Sequence, residues 1–263
     1  MAHLVDNVPL RRAIAAFADS GEQSSYLEVV RNILHGELLF DTTGSEIAMT
    51  EDGSSLTQGS TFGFRSGTGP DGERALLAFT RQEEVLRMHE DAPAAVQTLA
   101  QPAASTLEFA TEHGYAWLYL DPAGPTCGVK LADVEFILKT IRNDTVKAAL
   151  DTVGPTWMKD AVIDALSLGG QLLYAVNETA DGTQVRTTVN PEGQAVAIAF
   201  TSAVEVVVRS ATDAWTAIDI SRIISDALGH SLAGLVINPA GPYVELNRDD
   251  LLRVQSRLAA LDS

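Results

Sequence analysis

The segment Asp121-Pro122-Ala123-Gly124-Pro125 returns as Asn238-Pro239-Ala240-Gly241-Pro242, 117 residues further on. That period is a little under half of the 263-residue chain. It constrains the fold more than any other feature, because it makes the protein two passes of one pattern. Residues 70–80 read PDGERALLAFT and residues 191–201 read PEGQAVAIAFT, identical at five of eleven positions. Leu10, Ile14 and Phe17 are answered by Val146, Leu150 and Val153, at a displacement of 136. Leu38-Leu39-Phe40 is answered by Leu172-Leu173-Tyr174, and His113 by His230. The displacement falls from 136 to 121 by the Phe-Thr strand, so the first copy carries 15 more residues there. Those residues correspond to a Ser/Gly-rich loop insertion at about 41–60.

Each pass reads α-α-β-β-β-α-α-β-β-α. Apolar residues at i, i+4 and i+7 mark the first helix, and Val30 and Leu34 mark a second that stops at Gly36. Residues 61–64 and 74–79 are expected to form a hairpin across the turn at 67–72. Thr80 with Glu83, and Ser202 with Glu205, have the spacing of capping boxes. A helical stretch over 92–112 is expected to kink at Pro102. Asn247 is placed to cap a last helix carrying Leu251, Val254, Leu258 and Leu261. The fold class is α+β. Two tandem homologous domains are expected, 1–142 and 143–263, each a small mixed or antiparallel sheet flanked by helices. The boundary falls at Asn143-Asp144-Thr145, with no flexible linker, which implies that the copies pack as one pseudo-symmetric body.

The net charge of −17 repels phosphate backbones and anionic membrane surfaces, so neither nucleic acid nor membrane is an expected partner. The surface suits a basic protein partner instead, and a homo-oligomer that reuses one copy's pairing surface is a further option. The first residues lack a basic start followed by an apolar run, and no run approaches the length of a membrane span. A single cysteine, Cys127, excludes intrachain disulfides. A cytoplasmic location is expected.

The Pro-x-Gly turn, the strand ending in Phe-Thr and the apolar strand ending in Asx-Pro-x-Gly are similar to the SseB N-terminal domain family. The residues are Pro70, Gly72, Phe79, Thr80 and Asp121–Pro125 in copy one. In copy two they are Pro191, Gly193, Phe200, Thr201 and Asn238–Pro242. Copy one departs from the family pattern at Asp121, where Asn is usual, and in its polar insertion. The resemblance implies an α+β domain and brings no established active site with it.

No Walker loop, dinucleotide glycine fingerprint, nucleophile elbow or Cys/His metal spacing is present in the sequence. No catalytic residue, cofactor or metal is therefore expected. Asp121, Pro122, Gly124, Asn238, Pro239 and Gly241 are candidates for paired partner or ligand loops, although turn chemistry alone accounts for each residue type. His113 and His230 fit helix C-termini, His230 having Asp226 nearby and His113 having Glu108 and Glu112. Cys127 reads as a buried small residue. Glu83-Glu84 and Asp249-Asp250 suit first turns of helices, and Phe64 reads as one face of a strand. The leading expectation is a non-catalytic interaction or regulatory protein. The alternative is a small-molecule binder or enzyme, possible amino-acid-related ligands included, with a site in the groove between the copies.

Overall fold

The computed structural model describes residues 5–45, 63–152, 159–179, 182–210, 212–230 and 232–261. The expected Ser/Gly insertion, Phe62 and Val153 fall largely or wholly outside these residues. The chain divides into two compact units, Met1–Leu138 and Lys139–Ser263.

In the first unit, α1 (Val8–Ser20) and α2 (Gln23–Asn32) precede β1 (Glu37–Asp41). β2 (Ser66–Thr68) and β3 (Arg74–Ala78) form a hairpin, but its first strand lies after the expected 61–64 and inside the expected turn: residues 63 and 64 are in no strand, and 61 and 62 lie outside the described residues. Then come α3 (Gln82–Arg87), a 3-10 turn at Pro93–Ala95, β4 (Thr98–Pro102) and α4 (Ala103–Glu112). β5 (Trp117–Leu120), β6 (Cys127–Lys130) and α5 (Leu131–Lys139) close it. The second unit runs α6 (Asp144–Thr152), α7 (Lys159–Leu166), β7 (Gln171–Thr179), β8 (Gly182–Val185), β9 (Thr187–Val189) and β10 (Ala195–Phe200). It continues with α8 (Ala203–Arg209), β11 (Ala214–Asp219), α9 (Ile220–Gly229), β12 (Gly234–Ile237), β13 (Val244–Asn247) and α10 (Arg248–Leu261).

Both sheets are mixed. β3 runs parallel to β5, and β10 parallel to β12; the other pairs are antiparallel. In the second unit the order is β11-β7-β10-β12-β13, with β9 also on β10 and β8 on β7. In the first unit the ladder β4-β1 meets β3 through the bridge Leu39↔Phe79, and β3-β5-β6 continues, with β2 also on β3. The strand order is the same in the two units.

The parallel connection explains the apolar runs. Leu172, Tyr174, Ala197 and Ala199 face a core shared with α6, α7, α9 and α10, while Leu173, Ala175, Ile198 and Phe200 face Ala203 and Val206 of α8. Strands buried on both faces lose the polar alternation of a half-exposed sheet.

Two local expectations need correction. The stretch 92–112 is not one kinked helix: Thr98–Pro102 pairs with β1, Glu37↔Pro102 to Asp41↔Thr98, and the helix begins at Ala103. Pro102 sits at the edge-strand end, where a missing N–H costs no ladder bond, and its fixed φ of −54° leads into the helix. The capping boxes at Thr80 and Ser202 do not form. α3 starts later, with Arg81 at its N-cap, and neither Arg81 nor Ser202 makes a side-chain cap bond. The reason is that Thr80 is engaged elsewhere, as described below. At α10 the expected cap is present: Asp250 N donates to Asn247 Oδ1 at 3.0 Å and Asn247 N to Asp250 Oδ2 at 3.1 Å.

Candidate functional site

The two predicted turns open the same way and differ at the glycine, which has a positive φ at Gly241 and not at Gly124. Asp121 and Asn238 have φ of 50° and 53°, a left-handed conformation that Asp and Asn tolerate better than other side chains. Each turn is closed through the backbone, Gly124 N to Asp121 O at 3.0 Å and Gly241 N to Asn238 O at 2.8 Å. The side chains do not cap their own turns, as turn chemistry had led us to expect. They reach the end of the neighbouring parallel strand. Asp121 Oδ1 accepts from Thr80 N at 2.8 Å, and Thr80 Oγ1 donates to Asp121 Oδ2 at 2.7 Å. Asn238 Oδ1 accepts from Thr201 N at 2.9 Å, and Asn238 Nδ2 donates to Thr201 Oγ1 at 2.9 Å. The Phe-Thr and Asx-Pro motifs are thus two halves of one buried clasp.

A third segment joins it, and sequence reading missed it. Asn7 N donates to Thr80 O at 2.9 Å, while Asn7 Oδ1 caps α1 and Nδ2 donates to His35 O at 2.7 Å. Asn143 repeats this in the second unit: its N donates to Thr201 O at 2.8 Å, Oδ1 accepts from Val146 N at 3.0 Å, and Nδ2 donates to Gln171 O at 3.2 Å. Asn7 and Asn143 stand at the displacement of 136, so the signal was in the sequence. Each Asn side chain lies against a left-handed glycine, Gly36 (φ 72°) or Gly170 (φ 93°), where a Cβ would come within 3.0 or 3.4 Å of Nδ2.

The two clasps differ in charge. Burial pushes the Asp121 carboxyl up to about 6, against the two bonds from Thr80 that favour its charged form. Beside it, buried Glu84 is held by Arg81 (2.8 Å) and Arg87 (2.6 Å). Gly124 packs onto this group so closely that a Cβ would lie 2.7 Å from Arg87 Nη1 and 2.9 Å from Glu84 Oε2. Gly241 has open space, and is required instead by its φ of 87°. Pro122, Gly124, Pro239 and Gly241 are half-buried, and the exposed tips are Ala123, Pro125, Ala240 and Pro242. Asp121 and Asn238 through their side chains, and Gly124 and Gly241 through the turn bonds, are therefore part of the frame of each unit.

The remaining candidates are also structurally engaged. Cys127 is buried in β6, and burial pushes its thiol up to about 12. His113 and His230 cap α4 and α9, each ring Nδ1 lying 2.9 Å from the carbonyl four residues back. Among the described residues no group of three His, Cys, Asp or Glu is arranged to hold a metal ion, and no helix is long and apolar enough to cross a membrane.

One cavity has the form of a binding site. It lies in the second unit, has a volume of about 390 Å³, and is lined by Tyr174, Val185, Ala197, Asp226, His230 and Leu232, with Gln184, Thr187 and Ala227. That size suits a small molecule. The matched positions in the first unit explain why the space is open. β-sheet register pairs Leu39 with Phe79 and Leu173 with Phe200, so Phe40 corresponds to Tyr174. Ser66 pairs with Leu76 and Thr187 with Ala197, so Phe64 corresponds to Val185 and Leu76 to Ala197. Phe109 corresponds to Asp226 and His113 to His230. In the first unit, Phe40, Phe64 and Phe109 form an aromatic cluster with centroids 4.9–5.6 Å apart, and Phe109 stacks on His113 at 4.0 Å. The second unit has smaller side chains at three of these places, Val185, Ala197 and Asp226.

The pocket's polar groups are few. Tyr174 is buried and donates to Ile223 O at 3.4 Å; burial, with Asp226 nearby, raises its phenol above the usual range. Asp226 pairs with exposed Arg222 at 2.9 Å. The carbonyl of Asp226 can only accept, so the His230 Nδ1 facing it carries the proton.

This frame defines a small α+β domain: a mixed sheet with one parallel pair, tied by an Asn-Thr-Asx clasp. Residues 10–134 match the sequence model of the SseB protein N-terminal domain. The first unit belongs to the SseB family. Among curated proteins and among solved structures, none matches the chain.

Proposed function

We propose that this is a two-copy SseB protein of the cytoplasm, with residues 143–263 as the second copy, and that it acts by binding rather than catalysis. The repeated strand order, the repeated clasp and the matched Asn7/Asn143 support a second copy. The observation that carries the binding role is the 390 Å³ pocket, opened at the place where the first unit packs aromatic rings. A thermal-shift screen of the full chain against metabolites, amino acids included, tests it. A ligand that raises Tm and is lost on filling the pocket supports the reading; a screen with no stabilising compound sinks it.

The charge of −17 favours a second reading, a basic protein partner. An affinity pull-down in low salt that recovers no reproducible basic protein excludes that partner.

A further inference from the structure

We infer that the pocket of the second unit takes a small aromatic cation, a ring bearing a protonated amine. The inference rests on the reading of the cavity as a ligand site and adds the ligand's chemical class.

The argument for a ring comes from the first unit. There the phenyl group of Phe109 stacks on His113 and meets Phe40 and Phe64. In the second unit the stacking partner is retained as His230, and the aromatic floor is retained as Tyr174. The ring between them is absent, because position 226 is Asp. Val185 and Ala197 shorten two of the walls further. Leu232 and Ala227 complete an apolar lining. A ligand ring in the place of the Phe109 phenyl restores a stack that the same backbone frame already supports.

The argument for a cation comes from what replaces the ring. Asp226 lines the pocket, and its charge acts on the Tyr174 hydroxyl of the same lining. Its partner Arg222 is 72% exposed, so the ion pair is screened and leaves the carboxylate able to accept another donor. With its proton on Nδ1, a neutral His230 has Nε2 as an acceptor. A primary ammonium offers three donors to these two acceptors. An anionic ligand would meet the Asp226 carboxylate in a chain of net charge −17.

Calorimetric titration of the full chain at pH 7 with tryptamine, indole and indole-3-propionate tests this. Tryptamine is expected to bind about ten-fold tighter than indole, the factor of one charge-assisted hydrogen bond, and the anion weakest. Asp226→Asn is expected to remove the preference for tryptamine over indole while leaving indole binding in place. Ala197→Leu and Val185→Phe install the first unit's residues, and each should weaken all binding about ten-fold or more; Val185 is at the exposed rim, so at least that variant keeps the fold. Indole binding with no tryptamine preference, or a preference that survives Asp226→Asn, overturns the cation class and leaves the pocket reading standing. No binding by any of the three compounds overturns the aromatic cation, and the pocket reading is then decided by the metabolite screen.

Discussion

The first and second units share a backbone plan, but use the same place under the sheet differently. One packs Phe40, Phe64 and Phe109 there; the other has Tyr174, Val185 and Asp226, and keeps a cavity. The difference shows how few side chains separate a filled core from an open one. Strand order, the Asn caps of the two first helices and the Thr partners in the clasp are kept, because they depend on backbone hydrogen bonds and on Asn and Thr. The cavity depends on side-chain volume at a few positions, and those can change without disturbing the ladder. The clasp carries a second contrast of the same kind, a carboxylate in one unit and an amide in the other.

The largest expected effect is on the filled side. Phe40→Ala removes a fully buried ring from the aromatic cluster, and should cost the first unit about 3–5 kcal/mol in denaturant unfolding. A cost under about 1 kcal/mol would mean that the cluster does not support this unit. Next is the charge contrast. Asp121 has a folded value near 6 against a usual 3.8, so the folded state binds its proton more tightly than the unfolded chain does. This contribution is most favourable below pH 4, declines as pH rises from 4 to 6, and is flat above 6, a difference of about 3 kcal/mol. Asp121→Asn imitates the second unit and removes the dependence. The stability of Asp121→Asn minus that of the parent should therefore rise by about 3 kcal/mol from pH 4 to pH 6, and a constant difference refutes the assignment.

Smaller and parallel effects are expected at the third clasp segment. Asn7→Ala and Asn143→Ala each lose a helix cap, and should destabilise by about 1–2 kcal/mol, each in its own unit. Unequal effects, one near zero, would break the equivalence of the two clasps. The smallest change is Val185→Phe, which should alter stability by no more than about 1 kcal/mol because the side chain is at the rim. A loss of several kcal/mol would show that the second unit cannot accept the first unit's packing.

Much of the frame was legible in the residues. The displacements of 136, 121 and 117 matched helix to helix and strand to strand, and Asn247 was recognised as a cap because capping is a local, short-range chemistry. Thr98–Pro102 does not show its strand in the sequence: its five residues lack a clear period, and only the partner strand β1 gives them their pairing. Thr80 was given a local cap when its partner lies 41 residues away. The pocket was not anticipated. Its signal, smaller residues at matched core positions, was present, but Phe64, Leu76 and Phe109 come from three separate segments with different displacements.

By itself the sequence determined the α+β class, the last hairpin of each unit and the SseB likeness of the first unit. Those follow from periodicity, glycine and proline restraints and short-range capping, all of which act between residues close in the chain. The tertiary structure alone decided the direction in which Asp121 and Asn238 turn their side chains, and joined them to Thr80, Thr201, Asn7 and Asn143. It also decided that one unit is packed where the other is open. Burial and volume are properties of neighbours brought together by folding, and no single segment carries them.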